Sequence, residues 1–187
     1  SECLPMLAEF EITCVRGNHD QVALDCNAAK TPPSESYTRD YGHALERSLL
    51  ESSEPLMRFL AEMPLTSRIE RGGRVLHLVH GAPWDALEGR VYPDFRDWSR
   101  FDGVEADAVL FGHTHYPLEH RHGSVLLLNP GAVGQARHRS GVACAAVLDL
   151  DALAATLVEL PYDRERLIAD ARLHDPGLPY LVEVLTR

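Results

Sequence analysis

Ala108-Val109-Leu110-Phe111-Gly112-His113-Thr114-His115 is the stretch on which the reading of the fold turns. Four apolar residues run without a break into a polar turn that carries one glycine and two histidines. The same design occurs twice more. Ile12-Thr13-Cys14-Val15 leads into Arg16-Gly17-Asn18-His19-Asp20, and Val75-Leu76-His77-Leu78-Val79 leads into His80-Gly81. Short apolar runs bounded by glycine-bearing turns read as buried strands. In open α/β sheets, ligands bind in the crevice beyond the carboxyl ends of the strands. The pattern therefore predicts that Asn18, His19, His80, His113 and His115 meet at one sheet edge. A glycine beside each polar residue permits tight turns and close backbone approach.

The rest of the chain supplies the frame. Glu11–Val15 reads as a short strand and residues 31–36 as a Pro- and Ser-rich loop. Ser36–Leu50 and Glu54–Glu62 have helical spacing: Leu45, Leu49 and Leu50 share one face, as do Leu56, Phe59 and Leu60, and Pro64 ends the second helix. Gly72-Gly73 joins Ser67–Glu70 to Arg74–Val79 as a hairpin, and His122-Gly123 joins Leu118–Arg121 to Val125–Leu128 in the same way. Asp94–Phe101 reads as a short aromatic helix, Val142–Leu150 with Ala154–Leu160 as a late strand pair, and Arg164–Leu173 and Pro179–Leu185 as closing helices. Strands interleaved with helices predict an α/β sandwich with a mixed sheet, in one domain spanning residues 1–187. Residues 31–64 and 82–105 are candidate lid or cap insertions.

Composition bounds the function. The chain has 28 acidic and 18 basic residues, a formal net charge of −10, which disfavours a face that binds nucleic-acid polymers through phosphate neutralisation. Its apolar runs are far shorter than the roughly 20 residues of a membrane span, and no secretion signal is visible. Cys3, Cys14, Cys26 and Cys144 show no C-x-x-C spacing, so reduced thiols and a cytoplasmic location are expected.

Neutral imidazoles and an amide oxygen suit a first-row divalent ion such as Mn, Fe, Co, Ni or Zn. An extended backbone through His113-Thr114-His115 would send the two rings to opposite sides, one to each of two neighbouring metals. Such a pair clamps a phosphoryl group and activates the water between the ions. His19, steered by Asp20, would then act as general acid toward the leaving alkoxide. His43, His77, His120, His122, His138 and His174 read otherwise: His77 as a core-strand residue, the others mostly as solvated surface.

Gly17-Asn18-His19-Asp20, His80-Gly81 and Gly112-His113-Thr114-His115 together resemble the calcineurin-like metallophosphoesterases. Asn129-Pro130-Gly131-Ala132-Val133-Gly134-Gln135 is similar to a segment of their small bacterial phosphodiesterase-like branch. The resemblance implies a four-layer αββα sandwich with mixed sheets and a dinuclear site at one sheet edge. It implies that Asn18, His80 and His113 bind one of two divalent ions and His115 the other. His19 would protonate the leaving group, with Asp20 holding it. The implied activity is hydrolysis of a small phosphorylated substrate, a mono- or diester, by a metal-bridging hydroxide.

Family members also carry Asp-x-His and Gly-Asp segments ahead of the Asn-His-Asp motif, which supply further ligands, including a bridging carboxylate. Neither occurs here, so the resemblance implies that these segments and the first strands lie ahead of Ser1. Charge points the same way. Two divalent ions carry +4, every ligand named here is neutral, and burying such charge unpaired is costly. Without added carboxylates the chain would hold at most one weakly bound ion. Two alternatives follow: a non-catalytic scaffold or binding module of the same fold, and a mononuclear zinc hydrolase using His80, His113 and His115.

Toward the substrate, residues 82–105 hold Trp84, Tyr92, Phe95, Trp98 and Phe101, five of the chain's 13 aromatic residues. They read either as a wall for an aromatic substrate group or as a satellite core. Arg137 and Arg139 follow the Gly-rich turn and read as phosphate contacts or as solvated surface.

Overall fold

The computed structural model describes residues 6, 7 and 9–186, and Cys3 lies outside them. A mixed α/β fold results. Four helices lead the described chain: α1 (Asn18–Ala29), α2 (Glu35–Tyr41), α3 (Ala44–Leu50) and α4 (Glu54–Glu62). Seven strands follow: β1 (Thr66–Arg71), β2 (Arg74–Val79), β3 (Ala108–Leu110), β4 (Leu118–His122), β5 (Val125–Asn129), β6 (Val142–Asp149) and β7 (Ala154–Pro161). Helices α5 (Glu165–His174) and α6 (Tyr180–Thr186) close the chain.

The main sheet has five strands in the order β1-β2-β3-β5-β4. Its centre, β2, β3 and β5, is parallel, and the antiparallel hairpin arms β1 and β4 form the edges. Parallel strands at the centre send their carboxyl ends to one rim. Strand alternation splits the core. Val79, Val109, Phe111 and Leu127 face a cluster closed by Ala82, Val91 and Phe101 from the long connection after β2. Leu76, Ala108 and Leu126 face the other way and meet Leu148, Leu150 and Leu153 from the β6–β7 turn. Among the described residues the second sheet is this two-stranded ribbon, β6–β7.

The aromatics of residues 82–105 pack largely as a satellite core. Phe101 is buried, Trp84 stacks on Phe95 with centroids 6.0 Å apart, and Trp98 stacks on His120 at 3.7 Å. Where a helix was expected over Asp94–Phe101, only a single 3-10 turn, Trp98–Phe101, forms.

Three other expectations are corrected. Glu11–Val15 adopt no strand; just after them the Arg16 N–H bonds the Pro64 carbonyl at 2.8 Å, and a single bond of that kind is not a ladder. The helix expected over Ser36–Leu50 is two, because Gly42 caps α2 at φ 78°. A Cβ there would lie 2.9 Å from the Asp175 carboxylate, so the backbone must turn left-handed beside a buried acid. Leu50, the last residue of α3, is 84% exposed, while Leu45 and Leu49 of the same helix are half-buried. Finally, residues 18–29 form a helix where only a turn was expected.

Candidate metal centre

Each motif residue is placed by a strand end or a helix start. Gly17 is the N-cap of α1, and Asp20, three residues on, accepts the Gly17 N–H at 2.8 Å. Asn18 and His19 therefore occupy the first turn of α1. Arg16 ties that turn to the end of α4, donating to the Ala61 and Met63 carbonyls at 2.7 and 3.0 Å. His80 follows β2, and its carbonyl accepts the Gly112 N–H at 2.9 Å, which joins the ends of β2 and β3. Gly17 must be small: a Cβ there would sit 3.1 Å from the His80 ring.

Three of the predicted residues converge. His80 Nε2 lies 3.0 Å from Asn18 Oδ1 and 3.1 Å from His113 Nδ1. Asn18 is buried and the His113 side chain is 7% exposed. Proton placement exposes a conflict. Arg90 Nε donates to His113 Nε2 at 3.0 Å, so a neutral His113 ring carries its proton on Nδ1. His80 Nε2 accepts that proton and has none to offer Asn18 Oδ1, so two lone pairs face each other. A cation among the three atoms removes the conflict, because each then presents a lone pair to it. The donor set thus fits one face of a divalent ion.

His115 stands apart from the three. Its Nδ1 bonds the Gln135 carbonyl at 2.9 Å. A backbone carbonyl on Nδ1 is how proteins orient a ligating histidine, and it leaves Nε2 free. The backbone between the two histidines is not the extended one expected. His113 and His115 both lie in the left-handed region, at φ 62° and 63°, with Thr114 buried between them. Non-glycine residues held there store strain that the surroundings must enforce. Asn129 does the enforcing. Fully buried, it donates from Nδ2 to the Gly112 carbonyl (2.8 Å) and to Thr114 Oγ1 (3.1 Å), while its own oxygen accepts the Gly131 N–H (2.9 Å).

His19 is held differently from the expectation. Asp20 spends its near oxygen on Gly17 and acts on His19 through charge alone. The ring instead packs edge-on against Tyr37 and Tyr41, and its Nδ1 lies 2.5 Å from the Tyr37 hydroxyl. Burial, with Tyr41 and Cys26 nearby, pushes Tyr37 up to about 12, so the phenol stays protonated and donates. The proton of a neutral His19 is thereby kept on Nε2.

Burial is the first cause of lowered proton affinity in all four rings. His19, His80 and His115 are held below their usual value. His113 falls to about 4, through burial and then through His80, Arg90, His115 and His19. For the three rings offered as ligands, His80, His113 and His115, the shift favours the neutral form that ligation requires.

Sequence reasoning missed Arg90, Tyr37, Asn129 and Gln135. Asn129 and Gln135 had a signal, since both lie in the segment Asn129–Gln135 singled out by its resemblance; Arg90 and Tyr37 had none. Arg137 instead reaches Tyr180 (3.3 Å), and Arg139 pairs with Glu159 (3.0 Å).

Comparison with known proteins points one way. A family model, the calcineurin-like phosphoesterase superfamily domain, matches residues 1–153. No curated protein matches the chain. A hypothetical protein of Pyrococcus horikoshii OT3 shares the fold with a TM-score of 0.77 at 20% identity, over 98% of this chain and 76% of that one. A metallophosphoesterase of Sphaerobacter thermophilus does so with a TM-score of 0.74 at 24% identity, over 98% and 80%.

Proposed function

The chain belongs to the calcineurin-like phosphoesterase superfamily, and from that premise we propose that it hydrolyses phosphate esters with divalent metal ions held at Asn18, His80 and His113, and a second ion at His115. The observation that carries the proposal is that His80 Nε2 lies 3.0 Å from Asn18 Oδ1 and 3.1 Å from His113 Nδ1 at the rim of a parallel sheet. A bound divalent ion supplies charge for the phosphoryl oxygens and acidifies water for attack on phosphorus.

The chain's own residues do the rest. Were His113 to hold the ion through Nδ1, its proton would sit on Nε2, and this nitrogen would be a donor instead of the acceptor it is toward Arg90. Arg90 then loses its acceptor, and the Glu88 carboxylate, 3.8 Å from Nε2, is placed to take the proton's hydrogen bond. The guanidinium, which still donates from Nη2 to Glu88 at 3.3 Å, would then have its Nε–H available for a phosphate oxygen. His19, as the imidazolium, would give its Nε2 proton to the leaving ester oxygen and return to the neutral ring whose Nδ1 faces the Tyr37 hydroxyl.

The test is hydrolysis of an aryl phosphomonoester and an aryl phosphodiester by the full chain, with and without Mn. Metal-dependent turnover of either supports the proposal; no turnover with any first-row metal, in protein that binds the metal, contradicts it. One observation favours a second reading, a non-catalytic module of the same fold: the three converging donors are all neutral. Failure of the chain to bind any divalent ion at this point is the outcome that reading predicts.

A further inference from the structure

We infer that a second, independent metal site lies on the β6–β7 ribbon, where His138, Cys144 and Glu159 form a cradle for zinc. Among the described residues this is the one group of three His, Cys, Asp or Glu side chains whose donor atoms all lie within 4.8 Å of one another.

The fold builds it from three separate segments. Cys144 on β6 and Glu159 on β7 are direct cross-strand partners, so their side chains stand on one face of the ribbon. His138 comes from the loop between β5 and β6 and folds over that face, with Nε2 2.6 Å from Glu159 Oε1. The second Glu159 oxygen is held by Arg139 Nη1 at 3.0 Å. Arg139 therefore orients the carboxylate, while Oε1 faces His138 Nε2, and an ion between these two atoms would take the place of their hydrogen bond. Cys144 is buried beside Ala136 and Val142, while His138 and Glu159 keep an opening to solvent.

Charge separates this cradle from the centre at the sheet rim. One thiolate, one carboxylate and one neutral imidazole carry −2 in total and neutralise a divalent ion without help. The donor types select zinc, which takes thiolate, imidazole and carboxylate in a tetrahedral shell and leaves a fourth position for water. Burial holds the Cys144 thiol above its usual value, so the proton it gives up on coordination passes to the buffer.

The consequence is mechanical. The loop that carries His138 also carries the Gln135 carbonyl that holds His115, and Arg137 N–H bonds the His115 carbonyl at 3.1 Å. An ion at the cradle would pin this loop to the ribbon and steady His115 from behind.

Cobalt(II) titration of the full chain, followed by thiolate-to-metal charge-transfer absorption, tests the site. The donors at the sheet rim contain no thiol, so the band does not depend on the phosphoesterase reading, and Cys144→Ser separates this site from the chain's other thiols. The band is expected to rise and saturate, to vanish in Cys144→Ser and to persist in His113→Ala. In His138→Ala, a change at an exposed residue, the midpoint should move by more than about 10-fold, since even outer partners of metal ligands are worth that much. Zinc should erase the band by displacement. No band in the unaltered chain, or a band that survives Cys144→Ser, would overturn the inference.

Discussion

His113 concentrates the chemistry of the molecule in one ring. It sits at a left-handed backbone position, it is the most strongly shifted histidine, and it faces both His80 and Arg90. His113→Ala is expected to lower bound manganese or zinc by at least about 10-fold, measured by metal analysis after gel filtration. His19→Ala should leave metal content unchanged and cut turnover on the order of 10²–10⁴-fold; loss of metal in that variant would refute its placement as a proton donor. The chelated protein should also respond to acid. In the unfolded chain His113 titrates near 6.5, and in the folded chain near 4. The unfolded state therefore binds more protons between those values. Stability is complete above pH 6.5 and is lost as pH falls toward 4, by on the order of 3 kcal/mol for this ring. Urea midpoints at pH 7, 5.5 and 4 should fall in that order, and less steeply in His113→Ala. A flat profile in the unaltered protein would contradict the burial of the ring.

Secondary elements divide by how local their causes are. The hairpins at Gly72-Gly73 and His122-Gly123 were legible because the turn and both flanking strands are contiguous, Thr66–Val79 and Leu118–Asn129. Helix α1 was not legible. It buries only Asn18, Ala23 and Cys26, which leaves no apolar stripe for periodicity to find. The break between α2 and α3 depends on Asp175, far along the chain. That side chain is 3% exposed and takes both the His43 N–H (3.0 Å) and the His43 ring (2.6 Å), with Arg47 at 3.7 Å. His43, expected at the surface, is thus a tie between two distant helical layers. Asp175→Ala should cost about 1–3 kcal/mol in denaturant unfolding, because the bonds lost include one from a backbone group. Asn129→Ala should cost a similar amount and also weaken metal binding, since the turn that carries His113 and His115 loses its brace. Normal metal affinity in that variant would show that the turn holds without it.

At the level of the molecule, the motif order Asn-His-Asp, His-Gly, Gly-His-Thr-His carried both the α/β architecture and the meeting of Asn18, His80 and His113. Strand ends that share a parallel sheet share a rim, which places His80 and His113 without distant information, whereas Asn18 reaches that rim on the first turn of α1 and not on a strand. The orientation of the rings did need it. The left-handed turn, the Asn129 brace and the Tyr37 contact on His19 arise from packing between segments far apart in sequence. Binding and stability should be linked across the whole domain. Manganese at about 100 times its dissociation constant should add roughly 2.7 kcal/mol to unfolding, read as a rise in Tm that is absent in His113→Ala.

The central claim is that Asn18, His80 and His113 close around a single cation. Anomalous diffraction from a crystal of the full chain grown with manganese tests it most directly. The claim predicts a manganese peak about 2.0–2.2 Å from Asn18 Oδ1, His80 Nε2 and His113 Nδ1. A map without that peak, with His80 still bonded to its two neighbours, would contradict it.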